Sequence, residues 1–277
     1  MNNMAQLYLE ATLPQAEAAM QKSIISYFPP LEASSPILIS ESPQLLAAGS
    51  NVGLRTWDAC LRLAYYLSTE GQALIKDRAI IELGAGTGML SILCANHLGA
   101  DLVLATDGLP EIVTSMQQNI ILNPPAEAGL STVHAAHFEW SDTETLTQSI
   151  GLPSSRDWLK YDLVLGADIT YNPDYFGPLV TALTTLLNRN EDTSILIAGA
   201  IRNLNTYNAF LETCSKNRFE VLEVDYDCPG LHQQKGFFHA IALPIKIMHI
   251  RRGNTPKEGP RKARLDPILG RFVAISD

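Results

Sequence analysis

Ala79-Ile80-Ile81-Glu82-Leu83-Gly84-Ala85-Gly86-Thr87-Gly88 decides the fold. An apolar, strand-forming run passes straight into a glycine-rich loop and then into a helical pattern from Met89 to Leu98. A strand that apolar suits burial on both faces, as in a parallel sheet. Glycine lets the backbone come close to a ligand without Cβ atoms intervening, at the carboxyl edge of such a sheet. The segment therefore reads as a nucleotide-type binding loop. It is not a nicotinamide fingerprint, because the sixth position counted from Gly84 is Met89, and it lacks the Gly-Lys-Ser/Thr ending of a phosphate-binding loop.

Outward from this loop, helical and strand patterns alternate from residue 54 to about residue 250. Trp57 to Leu67 reads as an amphipathic helix before the loop. After it come a strand Leu102 to Thr106, a helix Glu111 to Leu122 and a strand Thr132 to Phe138. The strand Leu163 to Ala167, helix Tyr175 to Leu187, strand Ser194 to Ala198, helix Leu204 to Asn217, strand Val221 to Tyr226 and a β-rich run Phe237 to Ile250 complete the pattern. Such alternation predicts an α/β fold with a mostly parallel sheet covered on both faces. Leu7, Leu9, Leu13, Ala16, Met20, Ile24 and Phe28 recur at loosely helical spacing, so a helical N-terminal extension is expected over 1–35. Ile37-Leu38-Ile39 is β-prone within a Pro- and Ser-bearing connector. Residues 251–277 hold Gly253, Pro256, Gly259, Pro260 and a cluster of basic side chains, which predicts a basic, flexible tail after a catalytic domain of 36–250.

The chain has 277 residues, 46% hydrophobic and 18% charged, enough for one sizeable core and unlike a disordered or disulfide-stapled chain. A net charge of -9 disfavours nucleic acid as a partner, since phosphate binding needs a basic footprint. The tail holds seven Lys/Arg against three Asp/Glu and is +4, leaving -13 on the preceding 250 residues. That acidic body suits a basic protein partner, although solubility explains it equally well. Cys60, Cys94, Cys214 and Cys228 are scattered without a C-x-x-C pair, and His134 and His137 fall on opposite faces of a strand, so no metal site is expected. With no secretory pattern and no apolar run of membrane-spanning length, a cytoplasmic monomer with no membrane partner is expected.

Asp107 follows the second strand of the repeat, where a carboxylate can accept hydrogen bonds from both ribose hydroxyls of a nucleoside ligand. The residues Glu82 to Gly88 together with Thr106-Asp107 resemble the S-adenosylmethionine loop and acidic motif of seven-β-strand methyltransferases. Gly53-Leu54-Arg55-Thr56-Trp57-Asp58-Ala59, His137-Phe138-Glu139-Trp140 and Gly166-Ala167-Asp168-Ile169-Thr170-Tyr171 extend the likeness. They are similar to the methyltransferase family 16 protein-lysine methyltransferases, whose D-x-x-Y signature would be Asp168 to Tyr171. Ile39-Ser40-Glu41-Ser42 leading into Gly53 to Trp57 looks most like the branch that methylates elongation factor 2. The resemblance implies a Rossmann-like, seven-stranded class I sheet and S-adenosyl-L-methionine as cofactor. It also implies a protein substrate, with elongation factor 2 first among candidates.

Carried over residue by residue, the resemblance implies that Trp57, Glu82, Gly84, Ala85, Gly86, Asp107, Trp140 and Ala167 bind the cofactor. It gives Asp168 and Tyr171 to catalysis. An adenine ring offers a flat face to Trp140, and a sulfonium can sit near aromatic rings. A carboxylate at Asp168 can orient an incoming amine, with Tyr171 walling its channel. Either tryptophan also fits ordinary core packing, and Asp168 also fits a turn ahead of Asn172-Pro173. Asn123-Pro124-Pro125 lacks the following aromatic of amino-methylating nucleic-acid enzymes, and no G-x-S-x-G elbow is present. A methyltransferase for another protein or a small molecule, or a non-catalytic cofactor-binding module, are the competing readings.

Overall fold

The structure, a computed structural model, describes residues 21–44, 52–125, 133–142, 144, 160–253, 260–268 and 270–275. A hairpin of β1 (Ser23–Tyr27) and β2 (Ile37–Glu41) precedes the main sheet. The sheet strands are β3 (Ala79–Leu83), β4 (Leu102–Asp107), β5 (Val133–His137), β6 (Leu163–Ala167), β7 (Ser194–Ala200), β8 (Phe219–Val224), β9 (Ile245–Arg252), β10 (Arg261–Asp266) and β11 (Arg271–Ala274). The helices are α1 (Asp58–Thr69), α2 (Met89–Asn96), α3 (Pro110–Leu122), α4 (Phe176–Arg189) and α5 (Leu204–Lys216).

Among the described residues the main sheet runs β11-β10-β8-β9-β7-β6-β3-β4-β5. From β7 to β5 all pairings are parallel, and β9 inserts antiparallel between β7 and β8. The expected α/β Rossmann-like sheet of seven strands is the part from β8 to β5; β10 and β11 lengthen it. Strand order reverses on either side of β3, whose neighbours are β4 and β6. Ligands of open parallel sheets bind at the carboxyl ends of strands at such a switch.

Successive side chains on a strand alternate faces, and the two cores follow that alternation. Ile80, Leu163, Leu165, Leu196 and Ala198 pack with α1 and α2 on one face. Ile81, Val164, Ile195 and Ile197 pack with α4 and α5 on the other. α4 buries Phe176, Leu179, Val180, Leu183, Leu186 and Leu187, a spacing that puts them on one helical stripe. Each such side chain stabilises by about 1.5–3 kcal/mol when removed from water.

Three expectations need correction. Ser23–Tyr27 is a strand, not the end of a helix: Ile25 pairs with Ile39, and Ile37 and Ile39 on the partner strand are fully buried. The rest of the expected helical extension, residues 1–20, lies outside the described residues. The β-rich run begins as a strand only at Ile245, because Phe237 instead turns inward against α1 and its N–H donates to the Phe28 carbonyl at 3.0 Å.

The tail is also no loose appendage. β10 pairs parallel with β8 and antiparallel with β11, burying Ala263, Leu265 and Phe272 while Lys262 and Arg264 face outward. Its basic charge has local partners: Arg251 and Arg261 meet Glu220, and Lys262 and Arg264 meet Asp225. A period of two hidden among charges and glycines explains why the segment reads as polar linker.

The hairpin is bound to the sheet by side chains that imitate strand pairing. Asn123 Oδ1 accepts from the Leu38 N–H at 2.8 Å and its amide donates to the Leu38 carbonyl at 2.7 Å. One helical turn earlier, Asn119 Oδ1 accepts from the Ser40 N–H at 2.9 Å. Asn123 of the Asn-Pro-Pro segment thus satisfies backbone polar groups that would otherwise be costly to bury.

Candidate active site

A cleft of about 790 Å³ opens at the carboxyl ends of β3, β4 and β6, within the usual size range of small-ligand sites. Trp57, Glu82, Gly84, Ala85, Gly86, Asp107, Trp140, Ala167, Asp168 and Tyr171 all line it. The structure therefore brings together all ten residues that the resemblance assigned to cofactor binding or catalysis. Among the described residues, no helix is long and apolar enough to cross a membrane.

β3 delivers the glycine loop. Gly84 and Gly86 have φ of +62° and +55°, which L side chains rarely adopt. A Cβ on Gly84 would fall 2.8 Å from Ile169 Cγ2, and one on Gly86 would sit 3.1 Å from the Gly53 carbonyl oxygen. The Trp140 ring lies beside Gly84 and meets Tyr175 edge-on at 6.4 Å between centroids. A loop backbone packed too closely for side chains thus lies beside an aromatic wall.

β4 delivers Asp107. Its carboxylate accepts from the Gly86 N–H at 3.1 Å and from the Leu109 N–H at 3.2 Å, one bond on each oxygen. Burial pushes its carboxyl above the usual range, while those backbone donors pull it back. A carboxylate has about four acceptor positions, so each oxygen keeps capacity for a ligand hydroxyl. Glu82, beneath the loop, is 1% exposed and accepts a hydrogen bond from the Ser91 hydroxyl of α2. Burial raises its carboxyl to about 7.

The loop before α1 closes another side. Trp57 Nε1 donates to the Val52 carbonyl at 2.9 Å, and the guanidinium groups of Arg55 and Arg202 lie 4.9 and 5.6 Å from the centroid of its indole. Glu41 of β2 braces this loop: its carboxylate accepts from the Tyr27 hydroxyl and from the Thr56 N–H, both at 2.7 Å. Thr56 in turn bonds Thr87 of the glycine loop, hydroxyl to hydroxyl, at 2.8 Å. The hairpin therefore positions a wall of the cleft.

β6 delivers Asp168, whose φ of +57° is strained for a residue with a side chain. Its N–H donates to the Ala198 carbonyl at 2.8 Å, continuing the β6–β7 ladder one residue past the strand. The carboxylate is held by Arg202 as a fork, Nη1 to Oδ1 at 2.9 Å and Nη2 to Oδ2 at 2.7 Å. Tyr171 stands half-exposed at the mouth, its phenol shifted upward chiefly by burial.

Sequence reasoning missed Arg202 and Tyr175. Arg202 lies two residues beyond β7, and its site role follows from the rule that marked Asp107 and Asp168: polar side chains just past parallel strand ends converge on the switch point.

These features fit a nucleoside-type methyl donor. A Cβ at Gly84 or Gly86 would press on Ile169 or on the Gly53 carbonyl and push the loop out of shape, Asp107 keeps free acceptor positions for ribose hydroxyls, and Trp140 offers an aromatic face to an adenine or a sulfonium cation.

Comparison with known proteins agrees. A family model described as lysine methyltransferase matches residues 42–217. The chain is 34% identical over 256 residues to the protein-lysine N-methyltransferase EFM3 of Chaetomium thermophilum, covering 91% of this chain and 74% of that protein. It is 27% identical over 249 residues to the protein of the same name in Saccharomyces cerevisiae, covering 83% and 69%. It is also 27% identical over 191 residues to the mouse protein-lysine N-methyltransferase EEF2KMT, covering 66% and 54%. With a cofactor cleft at the switch point and a family match that takes in the cleft's β3, β4 and β6 walls, the chain belongs to the lysine methyltransferase family and is an S-adenosylmethionine-dependent protein-lysine N-methyltransferase.

Proposed function

We propose that the enzyme methylates a lysine of elongation factor 2 in the cytoplasm, working as a monomer. What supports this reading is sequence likeness, in two segments that the Glu41 brace joins beside the cleft. Ile39 to Ser42 and Gly53 to Trp57, the segments that resemble the elongation-factor-2 branch, meet through the Glu41 to Thr56 bond beside the cleft. The likeness to EEF2KMT over 66% of the chain supports the same choice.

In this reading Gly84, Ala85, Gly86 and Ala167 receive the donor by backbone approach, Asp107 holds its ribose hydroxyls, and Trp57, Glu82 and Trp140 complete the pocket. When bound, the donor supplies an electrophilic methyl group on a positively charged sulfur. Asp168 accepts a hydrogen bond from the lysine amine and aims its lone pair along the methyl–sulfur axis. Tyr171 walls the channel by which the side chain enters. A lysine amine has an ordinary pKa of about 10.4, so it must release a proton to water before it attacks.

The test is incubation of purified elongation factor 2 with the enzyme and labelled S-adenosylmethionine, followed by mass spectrometry. Label on one lysine, lost when that lysine becomes arginine, is the expected result. Label only on another lysate protein or in the low-mass fraction would refute the choice of substrate. An Asp168→Ala variant that binds cofactor normally yet keeps full transfer would refute the role of Asp168.

A further inference from the structure

Asp168 poses an electrostatic problem. A carboxylate within hydrogen-bond reach of an amine stabilises the ammonium, the form that cannot attack. An opposite charge at that distance raises an amine by about one to three pK units. The structure holds an answer in Arg202. Its guanidinium spans both carboxylate oxygens at 2.9 and 2.7 Å, and its central carbon lies over the Trp57 ring, 5.6 Å from the centroid. Bidentate pairing and ring contact together fix it, as a flexible ammonium in its place would not be.

We propose that Arg202 is a positioning residue that offsets the charge of Asp168, so that the acceptor lysine binds and reacts as the neutral amine. This rests on the reading that Asp168 meets the acceptor amine. Asp168 keeps acceptor capacity beyond the Arg202 fork at Oδ2, whose second lone-pair direction is open, whereas Oδ1 also accepts from the Ala200 N–H at 3.4 Å. The amine can therefore be oriented by hydrogen bonding without being held as a cation. The guanidinium also locks the strained Asp168 loop, which the Ala198 carbonyl and the Ala200 N–H hold from β7.

Other charged and titratable groups border this corner. Tyr171 and Tyr175 lie on the following loop, Asp174 between them, Asp107 at the end of β4, Tyr207 on α5, and Arg55 before α1. Asp58 at the start of α1 acts on Arg202 from outside. Of these, Arg202 alone forks the Asp168 carboxylate among the described bonds.

The test measures methyl transfer against pH for the wild type, Arg202→Gln and Arg202→Lys, with S-adenosylhomocysteine affinity measured on each by calorimetry. Elongation factor 2 is the acceptor; if another lysate protein takes the label, that protein serves, because any lysine presented to Asp168 meets the same charge. Arg202→Gln should move the acidic limb of log kcat upward by about one pH unit or more, lowering kcat about tenfold at neutral pH, with KM for the protein not raised. Arg202→Lys should keep the limb within a few tenths of a unit of wild type while lowering kcat at every pH. Affinity for S-adenosylhomocysteine should stay within about threefold in both. An unmoved limb in Arg202→Gln, or equal movement in both variants, overturns the proposal, as does loss of kcat that tracks lost cofactor affinity. Asp168→Ala separates the two layers: full transfer by that variant removes the underlying reading, whereas its inactivity beside an unmoved Arg202→Gln limb removes this inference alone.

Discussion

Replacing Glu82 by Gln should change how stability depends on pH. Glu82 is 1% exposed, and burial raises its carboxyl from 4.5 to about 7 despite the Ser91 hydrogen bond. A carboxyl raised in the fold binds its proton more tightly there than in the unfolded chain. Its contribution is therefore fully present below pH 4.5 and is lost as pH rises to about 7. At ~1.36 kcal/mol per pK unit, the interval amounts to about 3 kcal/mol. The amide that replaces the carboxyl in Glu82→Gln would not ionise, and its oxygen can still accept from Ser91. Urea denaturation followed by tryptophan fluorescence at pH values from 4.5 to 8 should therefore show Glu82→Gln gaining on wild type by about 3 kcal/mol across that window. In thermal scans the same gain corresponds to about 6–12 °C, since 1 kcal/mol moves the Tm of a chain this long by about 2–4 °C. A difference between the two proteins that stays flat from pH 4.5 to 8 would refute the reasoning. It would mean that water reaches the carboxylate or that it is already ionised in the fold.

Three further outcomes are expected. Gly84→Ala should weaken S-adenosylmethionine binding strongly in calorimetry, because the new Cβ meets Ile169 at 2.8 Å on a backbone of φ +62°. Asp107→Asn should lower the same affinity by about 10–100-fold, the range of one charge-assisted hydrogen bond, with cooperative unfolding retained. Ending the chain before Pro260 should destabilise it by several kcal/mol in urea, since Leu265 and Phe272 alone contribute about 1.5–3 kcal/mol each on burial. A shortened chain as stable as the full one would show that β10 and β11 add nothing to the sheet.

Much of the fold was legible because its signals are local. The β3 run, the glycines after it and the one-sided stripe of α4 declare a buried strand, a left-handed turn and a covering helix within a few residues each. The placement of Asp107 and Asp168 was legible for the same reason, since each lies at the end of a strand that the hydrophobic pattern marks. β10 and β11 were not legible, because only a few of their side chains turn inward and the rest are charged. β1 was misread because Ile24 and Phe28 fit a helical spacing that continues from earlier residues, while its pairing with β2 depends on a segment beyond a turn.

The amino-acid order alone determined the alternation of strands and helices, the placement of the glycine loop and the family likeness, since each depends on neighbours a few positions apart. Tertiary structure decided which distant groups meet. It set Arg202 on Asp168, Glu41 beneath Thr56, Asn119 and Asn123 along β2, and the basic tail against Glu220 and Asp225. Those pairings satisfy buried polar groups and offset charges across long stretches of chain, and no local pattern encodes the identity of a distant partner.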